Sequence, residues 1–190
     1  KHPITPDENV SLTKAIANYH AKTLDENNAL YFTEESFDDF YYGKGSTYPD
    51  VNGGVGILFE QASSRGHVQE TQNGTLTFPF TIKNQLLTSM STFEAAIDNR
   101  KALLDYQAKF YNQAVDLANE EDFKGYVVDA GKDAARFSLF LDLLKQHQIT
   151  ANPLNKALKV EGKRFSEQSY FIPLAQSQFR LVKAVFSEQK

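Results

Sequence analysis

The residue whose type and position most clearly suggest chemistry is a single carboxylate, Glu60. It directly follows residues 55–59, an apolar run that reads Val-Gly-Ile-Leu-Phe. Such a run next to glycines predicts a buried strand of a mixed or parallel sheet, and ligands of α/β sheets bind at the carboxyl ends of strands. An ionised carboxylate there is costly unless it is hydrated, paired or set against a metal ion. Glu60 is therefore a candidate general base, and a structural ion pair at the strand end is the alternative.

A loop of small and polar residues precedes this run and could hold a substrate. Residues 40–49, called the glycine loop below, read FYYGKGSTYP. The side chains in it that could contact a ligand are Tyr42, Lys44, Ser46 and Thr47. The letters GKGST suggest a phosphate-binding loop, but the lysine precedes the second glycine and the spacing GxxxxGK[ST] is absent. We therefore expect no nucleotide site in this loop.

Composition excludes several classes of function. The 190-residue chain has a net charge of −4 and a pI near 5.6, so it lacks the basic character that binding to nucleic acid or an anionic membrane requires. No apolar run approaches the length of a transmembrane helix. The chain contains no cysteine, which removes thiol nucleophiles, disulfides and cysteine-ligated zinc. We thus expect neither nucleic acid nor a membrane as a partner.

The predicted elements around these residues must position them. Apolar spacing predicts a helix over about residues 6–27. Large apolar side chains at steps of three and four predict one long helix or two over residues 82–117, packed through these side chains on the predicted sheet. The pair Asn73-Gly74 predicts a hairpin turn between two short strands. The acidic residues 34–39 fit a helix start, with a calcium or acid–base site as the alternative.

The residues from about 122 onward predict a second, smaller unit. Strand, helix and strand signals follow one another over residues 126–149, an order typical of a βαβ unit. A further strand is predicted at residues 169–172, and a final helix follows it. We therefore predict an α/β fold in two domains, residues 1–121 and residues 122–190.

The region from residue 40 to residue 66 resembles a known family. Its sequences YGKGSTYPD and VNGGVGILFEQASSRG are similar to the C-terminal part of a zinc carboxypeptidase domain, in a carboxypeptidase A-like branch of large bacterial enzymes. In that family a glutamate after phenylalanine is the general base, which implies this role for Glu60. A tyrosine on a mobile loop closes over the substrate, which implies this role for Tyr42, with Tyr41 as the alternative. The resemblance also implies pocket-shaping side chains, namely Lys44, Ser46 and Thr47.

The resemblance further implies what this chain would need from elsewhere. The family binds zinc through an HxxE pair and a later histidine, and its substrate-binding arginines also precede the base. We therefore expect these groups in a missing N-terminal part of the same polypeptide, and no zinc ligand in this chain. Zinc lowers the pKa of its bound water and polarises the scissile carbonyl. The family also implies a peptide substrate and a secreted or periplasmic location.

The residues from about 122 onward carry a second resemblance. From about residue 122 the layout resembles the module that follows the peptidase domain in this branch, which is similar to a class I glutamine amidotransferase. Without cysteine this module has no amidotransferase nucleophile, so we interpret it as structural. The expected function is the C-terminal part of a zinc metallocarboxypeptidase that is inactive by itself. The alternative is a non-catalytic peptide-binding or scaffold domain of a degenerate peptidase relative.

Overall fold

A computed structural model describes residues 1–33 and 39–187, and within it the chain divides into two units, Lys1–Gln107 and Ala108–Lys190. The helices are α1 (Asp7–Glu26), α2 (Phe78–Asp98), α3 (Arg100–Asn112), α4 (Ala114–Glu120), α5 (Ala134–Gln146) and α6 (Phe179–Phe186). The strands are β1 (Val68–Thr71), β2 (Gly74–Thr77), β3 (Gly125–Val128), β4 (Asn152–Pro153), β5 (Leu158–Val160), β6 (Lys163–Phe165) and β7 (Tyr170–Pro173). Of the predicted acidic site at residues 34–39, all but Asp39 lies outside the described residues.

Helices α1 and α2 pack against each other and form the centre of the first unit. Helix α1 buries side chains at steps of three and four, namely Asn9, Leu12, Ile16 and His20. Helix α2 buries a face of small and polar side chains, namely Asn84, Thr88, Ser91 and Ala95. Large apolar side chains on α2, such as Leu86 (59% exposed) and Phe93 (63% exposed), face away from α1. The helix predicted over about residues 6–27 is confirmed. The region predicted as one long helix or two over residues 82–117 is helical but forms three helices, α2, α3 and α4, and the predicted core face of α2 is wrong.

The hairpin that precedes α2 is confirmed with its turn shifted by one residue. Strands β1 and β2 are antiparallel, and Thr71 lies opposite Gly74. The turn is formed by Gln72 and Asn73, and Gly74 begins the second strand with φ at 104°, a value that favours glycine. The hairpin leads directly into α2. The helix begins after Thr77, whose side chain caps it by accepting a hydrogen bond from the Phe80 N–H at 3.4 Å.

The segment that ends at Glu60 is not a strand, which corrects the prediction of a buried strand in a mixed or parallel sheet. Residues 55–60 have no regular secondary structure, and the described sheets contain only strands β1 to β7. Leu58, predicted to be buried, is 54% exposed. A strand needs a hydrogen-bonded neighbour, and no strand in the described part of the chain runs beside this segment. Its apolar sequence alone therefore does not make it a strand here.

In the second unit the predicted elements form, but the predicted βαβ pairing is wrong. Strands β3 and β4 flank α5, yet each pairs antiparallel with β7, which lies between them. The strand predicted near Ile149 begins instead at Asn152. Ile149 itself is a buried residue of the loop before it. The predicted domain boundary falls between α4 and β3. The core of the unit is formed by apolar side chains, including Leu144, Ile172, Leu174 and Val182.

The chain is therefore a mixed α/β protein with small antiparallel sheets. Within residues 1–33 and 39–187, no helix combines the length and the apolar character needed to cross a bilayer.

Candidate functional site

The glycine loop and the segment ending at Glu60 are both organised around one buried carboxylate, Asp50. Its side chain has no solvent exposure and lies in the short 3₁₀ helix Pro49–Val51. The Lys1 ammonium donates to Asp50 Oδ2 at 2.6 Å, while the Asn9 amide and the Gly56 N–H donate to Oδ1 at 3.0 Å and 2.9 Å. A buried carboxylate is tolerated only with such partners. Asp50 therefore fixes the loop, α1 and residue 56 to one another.

Two further contacts hold the C-terminal half of the glycine loop in place. The Thr47 hydroxyl is buried and donates to Asp39 Oδ1 at 2.7 Å, and Asp39 in turn pairs with Lys1 at 3.2 Å. The Ser46 carbonyl oxygen lies directly against Gly56, where a Cβ atom would approach it to 1.8 Å. Ser46 is also buried. The loop and the Glu60 segment are thus joined by backbone contact at Ser46 and Gly56.

Replacing Gly56 with alanine should destabilise the first unit strongly. The new methyl would lie 1.8 Å from the Ser46 carbonyl oxygen and 2.6 Å from its carbon, and backbone atoms have little freedom to move away. We expect the free energy of unfolding to fall by about 3 kcal/mol, measured by urea unfolding followed by circular dichroism. Gly45→Ala is the matched control, because open space surrounds that position; an equal loss in both variants would contradict the contact.

Tyr42 is the loop side chain best suited to contact a ligand. It is half-buried, and its ring lies edge-on to the His2 ring at 6.3 Å. Burial, and secondarily the neighbouring Tyr41, raises the pKa of the Tyr42 phenol. The hydroxyl therefore stays protonated at neutral pH and can donate a hydrogen bond. Lys44 is also half-buried, and its backbone N–H donates to the Tyr41 carbonyl at 3.2 Å.

Glu60 is exposed and stands between two anchored neighbours. The Phe59 ring packs edge-on against His20 of α1 at 4.7 Å. The Gln61 side-chain oxygen accepts a hydrogen bond from Asn84 of α2 at 3.2 Å. Glu60 itself makes no hydrogen bond or ion pair with any residue that the structure describes. The alternative of a structural ion pair therefore finds no partner in that part of the chain, and the carboxylate is available to solvent.

His20, on which Phe59 packs, is held as a neutral imidazole. Its Nδ1 lies 2.8 Å from Ser91 Oγ, and the Ser91 hydroxyl donates its proton to the Thr88 carbonyl at 3.0 Å. Since that hydroxyl has one proton, we assign the Nδ1–H of His20 as the donor to Ser91. The Nε2 lone pair is then buried without a hydrogen-bond partner among the described residues. Burial lowers the pKa of His20.

We expect the first unit to lose stability as the pH falls below about 6.5, the ordinary pKa of histidine. Because the pKa of His20 is lowered in the folded state, the unfolded chain binds the proton first, and this uptake favours unfolding. The loss begins near the unfolded pKa and levels off below the folded one. Urea unfolding between about pH 7 and pH 5.5 measures it. His20→Gln should reduce this dependence of stability on pH. His2 is present in both proteins and contributes equally to both, so an unchanged slope would contradict the assignment to His20.

A cleft of about 370 Å³ follows Glu60 along the chain. It is formed by the loop of residues 61–67 together with Phe78 and Thr81 of α2. The His67 ring lies edge-on to Phe78 at 5.3 Å, and the Thr81 hydroxyl is buried without a described hydrogen-bond partner. The lining begins at Gln61, the residue after the candidate base, and Glu60 itself does not line the cleft.

One HxxE spacing does occur in the sequence, at His67 and Glu70, although the resemblance places that pair upstream of the base. Glu70 lies in strand β1 and accepts a hydrogen bond from the Thr75 hydroxyl at 3.1 Å. No group of three or more histidine, cysteine, aspartate or glutamate side chains could hold a metal ion among the residues that the structure describes. The described part of the chain therefore does not provide a fitting zinc site.

The structure ties the glycine loop to the segment that ends at Glu60, but no hydrogen bond or ion pair in the described part of the chain joins Glu60 to a side chain of that loop. Ser46 and Thr47 are buried supports of the loop, Tyr42 and Lys44 have partial solvent access, and Glu60 is exposed on the segment that Gly56 ties to the loop. Sequence reasoning missed Asp50, the carboxylate that connects these parts. Its only signal was its position in the turn between the loop and the apolar run.

Comparison with known proteins adds no relative. No protein-family model, no curated protein and no solved structure matches this chain.

Proposed function

We propose that this chain supplies the general base and the substrate clamp of a zinc-dependent metallocarboxypeptidase, which hydrolyses peptide bonds at substrate C-termini. The observation that carries the proposal is the state of Glu60. Its carboxylate is exposed and without a described partner, while its neighbours Phe59 and Gln61 are held by α1 and α2. A general base must be accessible and held in position. The exposure of Glu60 meets the first requirement, and the contacts of its two neighbours support the second.

In the proposed reaction Glu60 takes a proton from the attacking water and later delivers it to the leaving amine. Tyr42 donates a hydrogen bond from its protonated phenol to the substrate and helps to exclude water. Lys44, which also has solvent access, is the second specificity candidate. Ser46 and Thr47 are buried and would act on substrate selection only by shaping the loop.

The zinc ion would be held by ligands in a missing N-terminal part of the same polypeptide. This assignment follows the resemblance and the lack of a three-ligand group in the described residues. The secreted or periplasmic location belongs to the same proposal, as does a structural role for the residues from about 122 onward.

The decisive experiment uses the full-length protein that contains this chain. It is offered a peptide with a free C-terminal carboxylate and the same peptide with an amidated C-terminus, with bound zinc and after removal of zinc by a chelator. We expect release of the C-terminal residue only from the free peptide and only with zinc. Tight binding of the free peptide without release would favour the alternative, a non-catalytic peptide-binding or scaffold domain. Equal cleavage of both peptides would contradict the carboxypeptidase assignment.

Tyr42→Phe should lower kcat/KM of the full-length enzyme by up to about tenfold, the effect of losing one hydrogen bond. The ring keeps its contact with His2, so the loop should stay folded. Tyr41→Phe is the matched control, because Tyr41 is the more exposed neighbour. Steady-state kinetics on the free peptide measure both variants. A loss confined to Tyr41→Phe would transfer the clamp role to Tyr41.

A further inference from the structure

The cleft next to the first turn of α2 is lined by hydrogen-bond donors that have no acceptor. Four of its lining side chains make no hydrogen bond or ion pair with any residue that the structure describes, namely Ser64, Arg65, His67 and Thr81. Among the described residues that line the cleft there is no aspartate or glutamate. The cleft therefore offers N–H and O–H groups, some of them on basic side chains, and no carboxylate to accept their hydrogen bonds.

Two of these donors are hydroxyl groups of residues with little access to water. Ser64 is 8% exposed, so more than nine-tenths of this residue is buried. The Oγ1 atom of Thr81 is buried as well and has no partner among the described residues. A buried hydroxyl without a hydrogen bond destabilises the fold, and native proteins commonly complete such a group with water or an ion. Both hydroxyls are therefore suited to bind a ligand that accepts hydrogen bonds.

The loop that carries most of these donors is held in place by its own backbone contacts. The His67 N–H donates to the Ser64 carbonyl at 2.8 Å, and the His67 carbonyl accepts from the Phe78 N–H at 2.9 Å. The φ angle of His67 is 74°, a left-handed value that costs energy in a histidine. The Gln69 side chain also donates to the Arg65 carbonyl. The donors thus lie on a fixed backbone, which lowers the entropy cost of binding a ligand.

The charges around the cleft favour an anion. Arg65 is always positively charged, and His67 becomes so when it is protonated. Phe78 and Thr81 lie at the N-terminus of α2, the positive end of the helix dipole, and the first turn of this helix contains no acidic residue. Glu60 precedes the loop in the sequence, but no ion pair joins it to Arg65, and the structure describes both residues. An anion in the cleft would therefore be stabilised by all of these charges.

We propose that this cleft binds the phosphate group of a small phosphomonoester. Arg65 would donate two parallel hydrogen bonds to it, and the other three side chains one each. Together these donors exceed the roughly four positions at which a carboxylate accepts, whereas the three oxygens of a phosphomonoester can accept them all. The volume of about 370 Å³ lies within the range of ligand pockets, so the organic part of the ligand has room beside the Phe78 ring.

Titration of the 190-residue chain with inorganic phosphate, followed by ¹H–¹⁵N NMR at constant ionic strength, tests this site. The amides of residues 61–67 and 78–81 should shift and reach saturation in the millimolar range. The β5–β6 hairpin is the internal control for non-specific attraction, because its exposed Lys159 and Arg164 lie opposite each other. Acetate should bind at least about tenfold more weakly than phosphate. Shifts that do not saturate would overturn the site, and equal binding of acetate would overturn its assignment to phosphate.

Two variants identify the groups that bind. Arg65→Gln should weaken phosphate binding by about tenfold or more, because charge-assisted hydrogen bonds are lost, and since Arg65 is exposed the fold should persist. Arg100→Gln, at an exposed arginine outside the cleft, is the matched control and should bind normally. Thr81→Val should weaken binding several-fold but melt at the wild-type temperature or above without phosphate, because its hydroxyl has no described partner.

Two results with these variants would overturn the proposal. The first is an affinity of Arg65→Gln within about twofold of the wild type. The second is a Thr81→Val protein that loses stability but keeps its affinity, since the hydroxyl would then serve the fold alone. Neither measurement involves peptide hydrolysis, and Glu60 does not line the cleft. Failure of the phosphate site therefore leaves the proposed peptidase function untouched, and failure of that function leaves the phosphate site untouched.

Discussion

Glu60→Gln in the full-length protein should lower kcat by about 10²- to 10⁴-fold, the range that a general base contributes. Glutamine has nearly the same shape but accepts no proton, so binding of peptide and zinc should persist. Glu60 is exposed and makes no described hydrogen bond or ion pair. The substitution should therefore change the free energy of unfolding by less than about 0.5 kcal/mol. Steady-state kinetics, zinc content and thermal unfolding measure the three quantities.

Glu70→Gln is the matched control for this variant. Glu70 is another exposed glutamate, and its carboxylate is engaged by the Thr75 hydroxyl in the hairpin. It should keep full activity. If Glu60→Gln retains turnover within a few-fold of the wild type, Glu60 is not the base. If it loses zinc as well as activity, the residue supports the metal site and the assigned role is wrong.

Asp50→Ala should lower the free energy of unfolding of the first unit by about 3–5 kcal/mol, the cost of removing one partner of a buried ion pair. The variant leaves the Gly56 N–H without its acceptor. It also removes one acceptor from the Lys1 ammonium, which keeps Asp39, and one from the Asn9 amide, which keeps the Gly54 carbonyl. The glycine loop loses its anchor, so its amides should exchange faster even where the chain stays folded. Urea unfolding and hydrogen exchange of the 190-residue chain measure both effects.

Two variants make the Asp50 result specific. Asp50→Asn keeps an acceptor oxygen for Asn9 and Gly56 but removes the charge opposite Lys1, so we expect a smaller loss of about 1–3 kcal/mol. Asp105→Ala breaks an exposed pair with Lys101 in α3 and should cost no more than about 0.5 kcal/mol. An Asp50→Ala loss as small as that of Asp105→Ala would show that the buried carboxylate does not organise the site.

The helices could be predicted from the sequence, but the buried side of α2 could not. Apolar residues at steps of three and four identify a helix because they line one side of it. Whether that side is covered depends on what lies next to it. In α2 the inner side consists of Asn84, Thr88 and Ser91, whose hydroxyl and amide groups find partners in α2 itself, in His20 and in Gln61. No hydrophobic pattern marks such a surface as buried.

The site shows the same limit of sequence patterns. The apolar run before Glu60 predicts a strand, yet strand formation needs a hydrogen-bonded neighbour, and periodicity does not report one. Asp50 is the opposite case, a residue whose structural role the sequence pattern does not indicate. Aspartate is almost never fully buried without a partner, and its partners Lys1 and Asn9 lie more than 40 positions away in the sequence. The candidate base could be predicted from its place in the chain, but its anchor could not.

The backbone contact between Ser46 and Gly56 limits how far Tyr42 could move with the glycine loop. Because Ser46 is packed against Gly56 and Thr47 is held by Asp39, a hinge for Tyr42 would lie within residues 41–45, where Gly45 has open space around it. A loop segment this short can move Tyr42 by no more than about 10 Å. This movement requires breaking the hydrogen bond from the Lys44 N–H to the Tyr41 carbonyl. Under the proposed function, a closing movement of this amplitude would enclose a single C-terminal residue of the peptide, so larger branched ends should escape enclosure.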